Sequence, residues 1–245
     1  KNSVGTAYGN QQTFTTNADP IIFNPTKAYG LISDIDGNCY KIVQIGDQIW
    51  MAENLRTSRY NDGNKIPYVT DPAEWNNLLK VINIDSFEIT GAYCWYNNDS
   101  LTYDKEYGKL YNFGAAESGK LCPLGWHVPT IEELSSLCDQ YRFDPTDPSG
   151  YSGKELIETS TIHWTEAIGT NSTGFSSLPG GFGGGDFFGE MGIKGYYWSS
   201  DRGGTSYGPG GFYYPLPFNV WFPPSPQLAQ INVKNGLSIR CLKDR

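Results

Sequence analysis

The 245-residue chain carries a net charge of −8 and a pI near 4.8. It therefore lacks the basic footprint that displaces counterions from nucleic acid or clings to an anionic membrane surface. No apolar run reaches the roughly eighteen residues a spanning helix needs, and 29 glycines with 15% aromatic residues point away from a helical bundle and toward a loop-rich fold with flat rings packed under and between loops.

Residues 1 to about 30 read as an irregular arm, rich in Asn, Thr and Gly and interrupted by Pro20 and Pro25. The chain opens with neither an initiator Met nor a basic stretch leading into an apolar one, so it reads as a mature or trimmed product. Asp34 to Asn38 is a turn signal, and Cys39–Ile45, Gly46-Asp47 and Gln48–Met51 read as a β-hairpin. Asp71-Pro72-Ala73-Glu74 opens a helix expected to reach Lys80. A second helix is expected from Lys109 to Glu117, stopping at Gly119. Thr130-Ile131-Glu132-Glu133 is a capping box, followed by Leu134, Leu137, Cys138 and Tyr141 on one helical face. Ser152-Gly153-Lys154-Glu155 is a weaker box with a turn or two behind it. Beyond about residue 170 helical signals stop; Tyr196–Ser200 and Gly236–Leu242 read as strands. The order of elements implies α+β architecture with a loop-dominated second half.

Residues 201–228 stand apart. Seven aromatic residues sit among five glycines and six prolines, and only Asp201 and Arg202 carry charge. So many prolines argue against a regular helix or a central strand. Rigid rings offer large contact area at low entropic cost and stack on the apolar faces of sugars. They can equally fill space beneath a long excursion. Alternation turns Tyr213 and Tyr214 to opposite sides, so one of the two is expected in the core.

Several segments carry a family resemblance. They are Asp34–Asn38 with Tyr40, Ile49-Trp50-Met51-Ala52-Glu53-Asn54-Leu55, Tyr107–Asn112, Cys122-Pro123-Leu124-Gly125-Trp126-His127-Val128-Pro129-Thr130, Gly174-Phe175, Leu178–Gly181, Trp198-Ser199-Ser200 and Ser238–Cys241. In this order they resemble the Fibrobacter succinogenes major paralogous domain, over about residues 32–245. The resemblance implies a single C-type-lectin-like domain over 32–245 behind the 1–31 arm, a fold also similar to formylglycine-generating enzymes, with short helices flanking small twisted antiparallel sheets. It implies export to the outer-membrane surface, periplasm or exterior, in Bacteroidetes-type lipoproteins anchored upstream of residue 1, and no agreed activity. It implies a disulfide between Cys122 and Cys241, by likeness to the C-type lectin bridge that ties a cysteine after the first helix to the last strand. Cys39, Cys94 and Cys138 stay unassigned. Related folds carry variable ligand-binding loops near the C-terminus, where residues 201–228 fall.

Catalytic chemistry finds little footing. Five cysteines form no CxxC pair, and there are two histidines, so the usual zinc spacing is missing. Cys241 lacks the partner that would make the copper pair of a formylglycine-generating enzyme. His127, between Trp126 and Val128, reads as a buried structural imidazole, and His163 as a surface-loop residue beside the unremarkable Ser160 and Thr161. Glu132 and Glu133 read as helix-capping charges, Asp186 and Glu190 as turn residues in a Gly-rich loop. Gly180–Gly185 lacks the lysine and helix of a phosphate loop. No cofactor is implied; a structural calcium at Asp34, Asp36 and Asn38 stays open, although Ile45 stands where an EF-hand needs glutamate.

Trp50, Trp126, Phe175, Trp198 and Ile239 are expected in the core. The reading is a binding domain rather than an enzyme, an envelope adhesin or recognition module. Its partner is a glycan or a surface protein, met through Asp201, Arg202, Tyr207, Tyr213, Tyr214, Phe218, Trp221 and Phe222. An assembly module of a surface complex or pilus is the alternative, and a carbohydrate hydrolase ranks third. Oligomeric state and ligand identity are not readable from the residues.

Overall fold

A computed structural model describes residues 21–83, 86–141, 153–165, 169–202, 205–207, 213–215, 218–222 and 227–245, with the backbone alone described from 205 to 230. The expected hairpin forms as read. β2 (Cys39–Ile45) and β3 (Gln48–Met51) pair antiparallel, with Ile45 opposite Gln48. Gly46, at φ +57°, makes the tight reversal that an L side chain resists. β1 (Gly30–Ser33) adds to the outer edge of β2, so the segment read as an arm contributes Gly30 and Leu31 to the sheet.

The helices are short, and their caps explain where each begins. Asp71 accepts a hydrogen bond from the Glu74 amide at 2.8 Å and opens α1 (Pro72–Asn77). α1 stops short of Lys80 because β4 (Leu79–Asn83) pairs with β5 (Ser86–Ile89). β6 (Tyr93–Cys94) follows, and then α2 (Ser100–Tyr107), capped by Asp99. No residue of α2 is buried and Leu101 is 97% exposed, so it shows no apolar stripe to read. The helix expected from Lys109 is shorter than read. β7 (Leu110–Tyr111) pairs with β6, and Asn112 then caps the single turn α3 (Phe113–Ala116).

β8 (Trp126–His127) precedes α4 (Ile131–Asp139). The Thr130–Glu133 capping box is complete, and Leu134, Leu137 and Cys138 are buried. Behind Gly153 lies one 3-10 turn, Lys154–Leu156, with no side-chain cap.

The second half contains more strand than its glycines and prolines suggest. β9 (Gly180–Gly184) and β10 (Phe187–Met191) form a hairpin, β11 (Gly195–Trp198) runs parallel to β9, and β14 (Phe218–Phe222) pairs with both β11 and β15 (Gln227–Gln230). β12 (Thr205–Tyr207) and β13 (Tyr213–Pro215) form a separate pair. The glycines of β9 are there because rings lie on them: a Cβ at Gly184 would sit 2.4 Å from the Trp75 indole, and one at Gly183 would sit 2.1 Å from the Phe188 ring. β16 (Leu242–Lys243) then returns to the first sheet between β3 and β8, giving the order β1-β2-β3-β16-β8 beside β10-β9-β11-β14-β15.

The architecture is thus mixed α+β, with few short helices and small sheets that are mostly antiparallel. Strands β3 and β11 are buried on both faces. Alternation sends Met51, Tyr196 and Trp198 into one apolar cluster, and Trp50 and Tyr197 into another. Trp126, Ile239 and Phe175 are buried as expected. Among the described residues no helix is long and apolar enough to cross a membrane.

Candidate functional site

Two layers matter: a buried polar knot that fixes the scaffold, and the ring-rich excursion that leaves it. The knot centres on Arg240, 1% exposed. Its Nε donates to Asn54 Oδ1 at 2.6 Å, Nη1 to the carbonyls of Met51 and Phe175, and Nη2 to the Ser176 carbonyl at 2.9 Å. The guanidinium also lies over the Phe175 ring, 4.9 Å from its centroid. A buried cation needs such complete partnering to be tolerated. Asn54 in turn donates to the Tyr107 carbonyl and Ser238 Oγ. The backbone repeats the pattern: Met51 N donates to Cys241 O, Leu55 N to Ile239 O, and Trp198 N to Ser238 O. Cys122 and Cys241 are joined as a disulfide across a sequence separation of 119.

β11 and β14 are antiparallel neighbours, so residues 199–217 are the connection between two paired strands. Within it β12 and β13 pair, with Tyr207 opposite Tyr213 and Ser206 opposite Tyr214. β14 places Trp221 opposite Tyr196 and Phe222 opposite Gly195. The expectation that proline keeps a central strand out of 201–228 is corrected here. β14 lies inside its sheet because Phe-Asn-Val-Trp-Phe contains no proline; the prolines flank it. The side chains of Tyr207, Tyr213, Tyr214, Phe218, Trp221 and Phe222 lie outside the described residues. Asp201 and Arg202 are described, and both grip the scaffold. Asp201 Oδ2 accepts from the Ile131 amide at the start of α4, a favourable place for a carboxylate. Arg202 clamps Glu117 through Nε at 2.6 Å and Nη2 at 2.8 Å, and lies 4.4 Å from the centroid of the Phe87 ring.

The two histidines exchange the roles the sequence suggests. His163 is the buried one. Its Nδ1 lies 2.6 Å from Glu158 Oε2 and its Nε2 lies 3.4 Å from Glu106 Oε2, with the Tyr107 ring edge-on at 5.6 Å. Glu158 is 0% exposed and also accepts from the Ile22 amide. Burial opposes charging His163, but the Glu158 hydrogen bond and the two carboxylate charges outweigh it and hold the imidazole pKa above its usual value. His127 is about a third exposed and bridges Glu133 at 2.9 Å and Asp244 at 2.6 Å. Its flanking apolar residues mislead because β8 turns its side chain to the rim while Trp126 goes inward.

Asp34 is consumed by its own turn: Oδ1 accepts from the Asp36 and Asn38 amides, and Oδ2 from Asn38 Nδ2 and the Tyr40 hydroxyl. Asp36 instead holds Ser58 and Arg59. Asp186 sits in the β9–β10 turn, and Glu190 binds Lys194 and the Tyr196 hydroxyl. Among the described residues no three His, Cys, Asp or Glu side chains gather as a metal-binding group.

The sequence matches the Fibrobacter succinogenes major domain over residues 43–243. The chain belongs to that family. No curated protein and no solved structure matches it. In this Fibrobacter succinogenes major domain, the motifs that carry the resemblance meet in one place. Trp50–Leu55 lies against Ser238–Cys241, Tyr111 exchanges backbone hydrogen bonds with Leu237, and Ser200 N donates to the Pro129 carbonyl. The signature residues are scaffold. The ring-bearing excursion springs from that scaffold at Trp198-Ser199-Ser200. Sequence reasoning did not single out Arg240 as the centre of the knot; its one sequence signal is an arginine alternating with Leu237, Ile239 and Cys241 beside Ser238.

Proposed function

We propose that this chain is an exported cell-envelope recognition domain, C-type-lectin-like in fold, that binds a glycan or a surface protein through residues 201–222. The observation that carries the reading is the construction of the β11–β14 connection. It is a paired hairpin with tyrosine opposite tyrosine, tied down at its root by Asp201 and Arg202. Strands whose backbone is paired before binding lose less entropy when a ligand arrives. The lectin-like assignment is supported by the Cys122–Cys241 bridge, which ends next to the last strand, and export by the disulfide itself. Asp201 and Arg202 act in this reading as the anchors of the tip, with the tyrosines as its contact surface.

The test is a glycan array and a panel of envelope proteins probed with the wild type, Tyr207→Ala and Tyr213→Ala. Binding should fall about tenfold or more in each variant while melting temperature is retained. Variants that bind as well as the wild type defeat the proposal. A wild type that binds nothing and self-associates instead points to the assembly role.

A further inference from the structure

A second surface, remote in sequence from 201–222, has the chemistry of a carbohydrate site. A groove of about 500 Å³ is walled by Arg59, Lys65, Pro67, Tyr68 and Tyr93. Its floor is aromatic and fixed. Tyr68 is 45% exposed, stacks on Tyr93 with centroids 5.6 Å apart, and meets the Trp95 edge at 4.7 Å. Backbone hydrogen bonds from Val69 N to Tyr93 O and from Tyr93 N to Pro67 O hold the ring-bearing segments together. A half-exposed ring locked this way presents a flat apolar face without the usual loss of rotamer freedom.

The wall is cationic, and the backbone that carries it is held in place. Arg59 and Lys65 are partners in an antiparallel bridge, so two like charges face each other across a narrow loop, an arrangement that is ordinarily destabilising. The loop is pinned by Ile66 N to Ser58 O, Tyr60 N to Asn64 O and Asn61 N to Lys120 O, and by Asn61 Nδ2 to the carbonyl of the disulfide residue Cys122. Asp36 lies 3.3 Å from Arg59 and compensates one of the two cations. Among the described residues Lys65 has no ion-pair partner. The groove is thus left with one surplus positive charge in a chain whose net charge is −8. Two like charges carried on one pinned loop beside a fixed ring suit an anionic group attached to a flat apolar face.

We propose that this groove binds an acidic saccharide, with a pyranose ring stacked on Tyr68 and its carboxylate held by Lys65 and Arg59. Neutral sugars offer the ring without the charge, and small anions offer the charge without the ring. The proposal does not depend on the role of residues 201–222.

The experiment is isothermal titration of the full chain with trigalacturonate, a glucuronate oligomer, sialyllactose, maltotriose and acetate. At least one acidic saccharide should bind, with maltotriose and acetate about tenfold weaker or more, and binding should weaken as salt rises. Tyr68→Ala and Lys65→Gln should each raise Kd about tenfold; Lys65→Gln, at an exposed side chain, should leave the melting curve unchanged, and Tyr68→Ala, which gives up its contacts with Tyr93 and Trp95, should lower it slightly while the protein stays folded at the assay temperature. Tyr207→Ala should leave Kd unmoved, which separates this site from the other. The proposal is overturned if no acidic saccharide binds, if maltotriose or acetate binds as tightly, or if both groove variants retain wild-type affinity.

Discussion

At the scale of single residues, His163 and Arg240 are two of the buried ionisable side chains among the described residues, and each is held by a different device. Arg240 is met by carbonyls, an amide oxygen and ring faces. His163 is met by Glu158, sealed from water, and by Glu106 toward the surface. Because the folded pKa of His163 is raised, its contribution to stability is full below the unfolded value near 6.5 and is lost as pH climbs through the folded value. His163→Gln should cost about 3–5 kcal/mol at pH 6, since it strands a buried carboxylate. That deficit should narrow on going to alkaline pH, as followed by urea melts of both proteins. A pH-independent deficit would mean that the ring acts by packing alone. The sequence placed these groups poorly for a physical reason. Whether a histidine is buried depends on which face its backbone turns inward and on which distant carboxylate arrives, and neither is local information. Tryptophans are easier, because so large an apolar surface has few places to go: Trp50, Trp126 and Trp198 are all in the core.

At the scale of elements, what was legible is what is written in neighbouring residues. The Gly46-Asp47 reversal and the Thr130–Glu133 box sit where local chemistry puts them. α2 was invisible because it buries nothing, and β14 was hidden by prolines that border it without entering it. The end of α2 shows how strictly one position can be specified. Gly108 has φ +72°, its amide closes the helix onto Tyr103 and Asp104, and a Cβ there would lie 2.7 Å from the Leu55 carbonyl. Gly108→Ala should therefore lose at least about 2 kcal/mol, combining the left-handed penalty with a backbone collision. Thermal denaturation would show it, and a near-neutral alanine would mean that the Tyr107–Lys109 backbone can shift aside. The candidate binding tip was only partly legible, for the same reason as β14. Composition marked the segment, while the pairing of Tyr207 with Tyr213 depends on strands that composition does not reveal.

At the scale of the whole molecule, the disulfide and the returning strand act on the same sheet. Cys241 is bonded to Cys122, and its neighbour Leu242 lies opposite both Trp50 of β3 and His127 of β8. Breaking the bridge, by reduction or as Cys122→Ala with Cys241→Ala, should lower stability by roughly 4–5 kcal/mol, as the entropy of closing so long a loop implies. Urea denaturation of oxidised and reduced protein measures it; coincident curves would show that the sheet holds without the bond. The position of β16 also governs how the molecule can come into being. The hairpin β2–β3 needs only its own neighbourhood, but the flank of β3 is filled by Leu242, which lies far along the sequence from it. A nascent chain therefore carries an unfinished edge on β3 until Leu242 and Lys243 have emerged. Deleting Leu242 and Lys243 would reopen a seam in the middle of the sheet, as the loss of any interior strand would.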